Sequence, residues 1–553
     1  MSESTAAAAS PEAAAKTGVA ALDDLFAAVN RSDAPGLVVG VAQHGQPVYR
    51  RGFGLASIEL GVANTAWTRM RIGSTSKHFT CLAALLLAED GKLDIDAGVR
   101  RYVPELPPLK GEPTLRQLMN HSGGHRCYLD VGFLSDAMAI KPKGVALKTQ
   151  VHQGDVNFAP GEKTLYNNGG YHLLSLIIER VSGVPFEQFL EDRIFGPLGM
   201  VDTKSVPGDF EIHRNMATLH VAQPDGSWRR GIFPTEEVRG EGAMISTIAD
   251  MLRWIAHLRG PHTVGSDDTW AQMTTPVRLN NGSSVPYALG LMVHDYRGVR
   301  VVHHAGGVIG GTCQMLTVPD HALDIIIMTN GALVSAVELA NKIIDAMLGD
   351  EVLAAREERA AVDRFKSVLG KRYYAPASGF LAGFGDAGGK LGICLMNNPP
   401  VPLRDEGETL RLGFEDIAMG PFTLRTADIA DRTEAPPTLE MTESGHVLRL
   451  ELLPESAPAD VLAPLAGRYR AADLDADAVV LQEDGGWKLR IFGQYAVNEL
   501  ALEALSADVV GLSHAVHPQL RAALAIDRRE GAVSGFRVDS GRTRGMRFER
   551  IGD

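Results

Sequence analysis

Three short stretches carry residue types able to do chemistry together. Ser74 and Lys77 stand three apart at the start of the apolar run 71–89, RIGSTSKHFTCLAALLLAE. On a helix that spacing puts both side chains on one face, and a serine in the first turn sits in the positive field of the helix N-terminus. A lysine crowded by that field and by apolar walls gives up its proton more readily, which makes the neighbouring hydroxyl nucleophilic. No other lysine in the chain has a serine three positions before it. Tyr166 alone among the tyrosines has an asparagine two positions on, Asn168. A tyrosine near a lysine can relay the serine's proton, and an asparagine amide can grip a substrate carbonyl. The third stretch is His304-Ala305-Gly306. His121-Ser122-Gly123 and His152-Gln153-Gly154 share its pattern, but only His304 follows the tyrosine stretch and ends a strand-like run. Taken singly, each stretch has a plain structural reading: an N-cap serine, a buried tyrosine with a helix-capping asparagine, a strand histidine.

The surrounding pattern supplies elements to position them. Leu37–Val41, His44-Gly45-Gln46 and Val48–Gly54 read as a hairpin with glycine at the corner. The serine helix follows and ends at Asp90-Gly91-Lys92. His121-Ser122-Gly123-Gly124-His125 is a glycine-rich loop; paired glycines argue against the helix that would make its histidines metal ligands. Helices are predicted over 171–181, 186–195, 248–258 and 334–347. Strands are predicted over 287–295, 299–303, 311–318 and 323–329. Strands at both ends with helices between imply one antiparallel sheet flanked by helices, with a helical insert: an α+β fold with a cleft between sheet and insert.

At 553 residues, length alone points to about three or four domains. The formal net charge of −13 disfavours nucleic acid and anionic membrane as partners, and no apolar run is long enough to span a bilayer. Cys81, Cys127, Cys313 and Cys394 are scattered and read as thiols, not a disulfide frame or a zinc site. The first residues have neither a basic start nor an apolar core, so residues 1–16 read as a disordered tail without a secretory signal. These features place the chain in a reducing cytoplasm; a homodimer is left open.

Beyond residue 350 the character changes. Residues 351–368 read as a charged linker helix, followed by turn-rich β sequence. Leu369-Gly370-Lys371-Arg372-Tyr373-Tyr374-Ala375 matches Leu465-Ala466-Gly467-Arg468-Tyr469-Arg470-Ala471, an offset of 96 (465 − 369). Gly389-Lys390-Leu391-Gly392-Ile393 matches Trp487-Lys488-Leu489-Arg490-Ile491, an offset of 98 (487 − 389). Near-equal offsets imply two copies of one small antiparallel β-barrel, over 369–458 and 459–553. The glycine-rich run 383–388 opens no helix, so it reads as a hairpin turn and not a dinucleotide site.

Serine on a helix, tyrosine before a helix and histidine on a late strand, in that order, resemble the penicillin-recognising serine hydrolases over about Val19 to Leu348. The third motif, the paired barrels, the run LAGRYRAADLDADAVVLQEDGG and the segment DRIFGPLGM bring the chain nearer to the D-aminopeptidases. That resemblance implies a catalytic domain over 17–350 with two barrels beyond it. It implies a cofactor-free serine peptidase that removes N-terminal D-residues from peptides, amides and esters through an acyl-enzyme. By the same resemblance Ser74 is the acylated nucleophile, and Lys77 with Tyr166 the proton shuttle. Asn168 and His304 orient substrate and relay, and Gly306 and Gly307 line the substrate, with the backbone N–H of Ser74 and Gly307 forming an oxyanion hole. Two departures bear on substrate. Ala305 stands where carboxylate-binding relatives carry threonine, and Glu499, in a barrel loop expected to reach the cleft, stands where relatives have aspartate for the substrate amine. The rival readings are a D-Ala-D-Ala carboxypeptidase, esterase or β-lactamase-like hydrolase on the same site, or a catalytically silent binding protein.

Overall fold

The computed structural model describes residues 11–417, 421–454, 458–514 and 520–552. The expected tail falls outside them for residues 1–10. Residues 11–16 belong instead to a helix, Pro11–Phe26. No helix among the described residues is long and apolar enough to cross a membrane.

The chain divides into two units. One comprises the chain up to Leu93, Ile178–Thr275 and Ala288–Arg356; the other comprises Asp94–Ile177, Pro276–Tyr287 and the chain from Glu357 onward. The helical insert, expected inside the catalytic domain, thus groups with the barrels.

The first unit is built on six strands: β1 (Leu37–Gln43), β2 (Gln46–Phe53), β3 (Met292–Tyr296), β4 (Val299–Val308), β5 (Gly311–Val318) and β6 (Leu323–Thr329). Their order is β3-β4-β5-β6-β1-β2, antiparallel throughout, so strands from both ends of the unit close one sheet. The β1–β2 corner is His44-Gly45, both left-handed, the two-residue turn that matches strand twist. Alternation gives the sheet two apolar faces. Val39, Val41, Val301, Leu316, Ile325 and Ile327 pack with the helices Pro11–Phe26 and Ala336–Leu348. On the other face, Ile248 and Leu252 of the helix Ile248–Arg259 come down onto Gly40, where a Cβ would meet Ile248 at 2.3 Å. The helix Lys77–Glu89 is buried along its whole length from Lys77 to Leu87, hence its nearly unbroken apolar sequence.

The second unit holds the insert and two barrels. The first barrel is a nine-stranded antiparallel sheet, nearly closed. Its edge strands, Val401–Pro402 and Arg404–Asp405, are consecutive in the chain with only Leu403 between them. The second is a closed eight-stranded barrel, in which Gly467–Ala471 pairs with both Ala476–Glu483 and Met546–Gly552. The repeat read from sequence maps onto equivalent strands, Arg372–Ala375 with Gly467–Ala471 and Leu391–Leu395 with Gly486–Phe492. The glycine run 383–388 lies on the strand Phe380–Asp386 and its following turn.

The charged linker helix does not form. Residues 354–361 are non-helical, and a single 3-10 turn follows at Val362–Phe365. The reason is a better offer to the backbone: Ala360 N–H donates to Leu403 O at 3.0 Å and Leu391 N–H donates to Ala360 O at 2.8 Å. Those bonds draw Ala360, Phe365 and Val368 into the first barrel's core, and this outweighs helix propensity.

Candidate active site

The first unit brings Ser74, Lys77 and His304 together. Ser74 lies in a 3-10 turn, Gly73–Ser76, that runs straight into the helix Lys77–Glu89. That turn is fixed from below. Ser76 Oγ donates to Gly73 O at 2.7 Å and accepts from Met244 N–H at 3.1 Å. Just before it, the buried Arg71 guanidinium donates to Val206 O at 2.7 Å and Ala243 O at 2.9 Å, and pairs with Asp209 at 2.7 Å. Ser74 is half-buried, whereas Lys77 is fully buried. Lys77 Nζ donates to Ser74 Oγ at 3.2 Å and to Glu241 O at 2.6 Å. A buried lysine nitrogen needs such partners, and the Glu241 carbonyl holds Nζ against the serine.

The strand β4 crosses this turn with no room for a side chain at Gly306 or Gly73. Gly306 lies so close that a Cβ there would stand 1.8 Å from Ile72 O. Gly73, left-handed at φ +54°, would place a Cβ 2.8 Å from Gly307 N. Thr75 Oγ1 donates to His304 O at 3.2 Å, a further clasp between the two segments. Gly307 is exposed, with nothing within 4 Å of a Cβ built on it. Gly307 thus packs against Gly73 on one side and leaves its Cα side open.

Of the consecutive His303 and His304, alternation puts only the second on the side of Ser74 and Lys77. His303 bonds instead to His294 Nδ1 and to Gln314, both at 3.1 Å. His304 Nδ1 donates to Ala305 O at 2.5 Å, since a carbonyl only accepts; Nε2 keeps its lone pair. Burial, and then the charge of Lys77, push the His304 imidazole down to about 3. His304 is thus neutral at physiological pH. Burial likewise pushes the Cys127 and Cys313 thiols up to about 12, which leaves them unreactive.

The second unit holds Tyr166, Asn168 and Glu499. Tyr166 is buried, with its ring 4.2 Å from His121 and edge-on to Tyr287 at 6.4 Å. His121 has φ +62° and accepts from Asn167 N–H at 3.1 Å, so the loop 121–125 is non-helical and serves the tyrosine segment. Asn168 opens the helix Asn168–Ser182. Glu499 lies on the barrel strand Val497–Ala504 opposite Arg490. Its carboxylate takes Arg490 at 2.7 Å and Lys488 at 3.0 Å, and these two cations hold it below the usual carboxylate range. A role at the substrate amine would require those pairs to open. The turn before it, 492–497, is fastened to the insert helix Tyr128–Asp136: Asp136 accepts from Tyr495 N–H at 2.7 Å, and Asn498 donates to Leu134 O at 2.8 Å.

Sequence reasoning missed the Glu241 carbonyl, because a main-chain acceptor carries no residue-type signature. It also missed Arg542, whose guanidinium lies 4.8 Å from the Tyr166 ring centre across 376 residues of chain (542 − 166).

A sequence profile of the beta-lactamase family matches residues 22–347. The chain is similar to a protein named D-aminopeptidase from Cereibacter sphaeroides, 28% identical over 536 residues, covering 94% of this chain and 96% of the relative. A Brucella canis protein of the same name is 27% identical over 460 residues, 82% of each chain. Among solved structures, the octameric penicillin-binding protein homologue from Pyrococcus abyssi aligns with a TM-score of 0.53 at 19% identity, covering 96% of this chain and all of that one. D-amino acid amidase from Ochrobactrum anthropi SV3 aligns with a TM-score of 0.51 at 23% identity over 62% of this chain and 99% of that one. At such identities these two carry the fold alone. The profile covers well over half of the sequence and takes in Ser74, Lys77 and His304: the chain belongs to the beta-lactamase family of serine hydrolases.

Proposed function

We propose that this serine hydrolase releases N-terminal D-residues from peptides, amides and esters through an acyl-enzyme on Ser74. The observation that carries the reading is the contact between the half-buried Ser74 hydroxyl and a buried Lys77, beside an imidazole that stays neutral. Relatives named D-aminopeptidase that span nearly the whole chain support the choice of substrate.

Ser74 Oγ attacks the scissile carbonyl carbon, and its proton enters the route formed by Lys77 and Tyr166. The acceptor is whichever of the two is unprotonated, amine or phenolate. The negative oxygen is held by the N–H groups of Ser74 and Gly307, at the main-chain crossing that leaves no room for a side chain at Gly306 or Gly73. The proton then passes to the leaving amine, the C–N bond breaks, and water releases the acyl group by the reverse path. Asn168 and His304 orient the substrate and the relay, and Gly306 keeps the strand against the nucleophile turn.

A neutral His304 and a methyl group at Ala305 offer a substrate carboxylate neither charge nor hydroxyl. Penicillins and cephalosporins should therefore acylate Ser74 slowly and turn over poorly. The deciding experiment pairs intact mass after an activated ester with rates on D-Ala p-nitroanilide and on N-acetyl-D-Ala-D-Ala. An adduct on Ser74 and preference for the free amine are expected. No adduct at all would leave a silent binding protein, while preference for the N-blocked peptide would make it a carboxypeptidase. Efficient cephalosporin turnover would overturn the carboxylate argument.

A further inference from the structure

The last hairpin of the closed barrel, between the strands Ala532–Ser540 and Met546–Gly552, is built into the insert. Asn157 donates to Arg542 O at 3.1 Å and accepts from Arg544 N–H at 2.9 Å. Arg126, almost wholly buried, donates to Arg544 O and Gly545 O, both at 3.0 Å, and pairs with Asp473. Within the hairpin, Ser540 N–H donates to Thr543 O at 2.8 Å and Gly545 N–H to Asp539 at 2.7 Å. Arg542 is thus presented from a fixed main chain, half-buried, over the face of the Tyr166 ring. No carboxylate among the described residues lies within ion-pair distance of it. Titratable or charged groups facing Tyr166 in this unit include His121, Tyr287 and Arg542.

We propose that Arg542 is a positioning residue for Tyr166: its guanidinium fixes the ring from the π face and stabilises the phenolate over the phenol. A cation is attracted by the π face of a neutral phenol, and more strongly once the oxygen's negative charge spreads into the ring. The C-terminal barrel would then act on the proton route through this one side chain, whereas its turn 492–497 is engaged with the insert helix. The inference rests on the reading of Tyr166 as a proton carrier.

The test follows the Tyr166 phenol itself in the full-length chain, by NMR with tyrosine labelled at the ring carbon bearing oxygen and assigned with Tyr166→Phe. In Arg542→Gln the phenol should titrate about one unit higher than in the parent, with Arg542→Lys between them. At neutral pH kcat should fall about tenfold in Arg542→Gln with KM little changed, and recover in part in Arg542→Lys. Circular dichroism confirms the fold of each variant; if Arg542→Gln does not fold, Arg542→Lys and Arg542→Met are read in the same way. An unmoved Tyr166 titration in a folded charge-removing variant overturns the inference whatever the rates do. A moved titration with full activity in both Arg542→Gln and Tyr166→Phe overturns the proton-carrier reading instead, and with it the catalytic part of this one.

Discussion

Ser74 sits where main chain packs directly on main chain: β4 crosses the turn Gly73–Ser76 with glycines at the crossing, and the Ser76 and Thr75 hydroxyls pin that turn. Tyr166 is held by side chains, against the ring of His121, edge-on to Tyr287, and under a guanidinium brought from the last barrel. The two means differ in what they tolerate. A main-chain contact has no slack, so any added atom breaks it. A side-chain cluster can be tuned by degrees, because each neighbour contributes separately.

The largest effect expected is on the nucleophile. Ser74→Ala should abolish turnover with the fold intact, and Lys77→Ala should cost several orders of magnitude in kcat, measured on D-Ala p-nitroanilide. Residual turnover in Ser74→Ala would break the comparison at its root.

Gly306→Ala and Gly307→Ala sharpen it further. The first drives a methyl against Ile72 O and should cost about 1–3 kcal/mol or more of stability, along with activity. The second meets nothing and should leave the melting temperature nearly unchanged, altering which substrates fit. Equal destabilisation by both would mean that the crossing is not a close contact.

Acid should find both units. Burial pushes His125, in the barrel unit, down to about 4, as burial and Lys77 push His304 in the sheet unit to about 3. Below the usual value of 6.5 the unfolded chain takes protons that these folded sites refuse, so stability falls as pH drops from about 6.5 towards those values. Each should cost about 2 kcal/mol between pH 7 and 5, read as a falling midpoint in urea. A flat profile would show that neither imidazole is buried neutral in solution.

The smallest effect belongs to Glu499→Gln. It breaks two ion pairs, with Arg490 and Lys488, on the solvent-exposed wall of the barrel, so the melting temperature should change little. The ratio of kcat/KM for a D-Ala amide to its N-acetyl counterpart should not move. A lowered ratio would mean that Glu499 leaves Arg490 and Lys488 for the substrate amine.

Much of this was legible in the chain. Strand-like runs marked β5 and β6, and histidine followed by glycine marked the β1–β2 corner. A single helical serine–lysine spacing marked the nucleophile. The charged stretch 351–368 was misleading because its helical composition says nothing of the two barrel backbone groups waiting for Ala360. The grouping of insert with barrels was illegible for a similar reason. It rests on single polar side chains, Arg126, Asp136 and Asn157, whose partners lie hundreds of residues away and share no pattern with them.

That separation has a consequence for synthesis. Asn157 is translated 385 residues before Arg542, and Arg126 is 347 residues ahead of Asp473. At about 5–20 residues per second, the ribosome leaves the insert without these partners for roughly 20–80 s. The nucleophile turn's partner strand β4 is complete long before then. A nascent chain therefore assembles the Ser74 crossing while Tyr166 still lacks its cation. The hairpin that carries Arg542 supplies it only after the second barrel's earlier strands have been made.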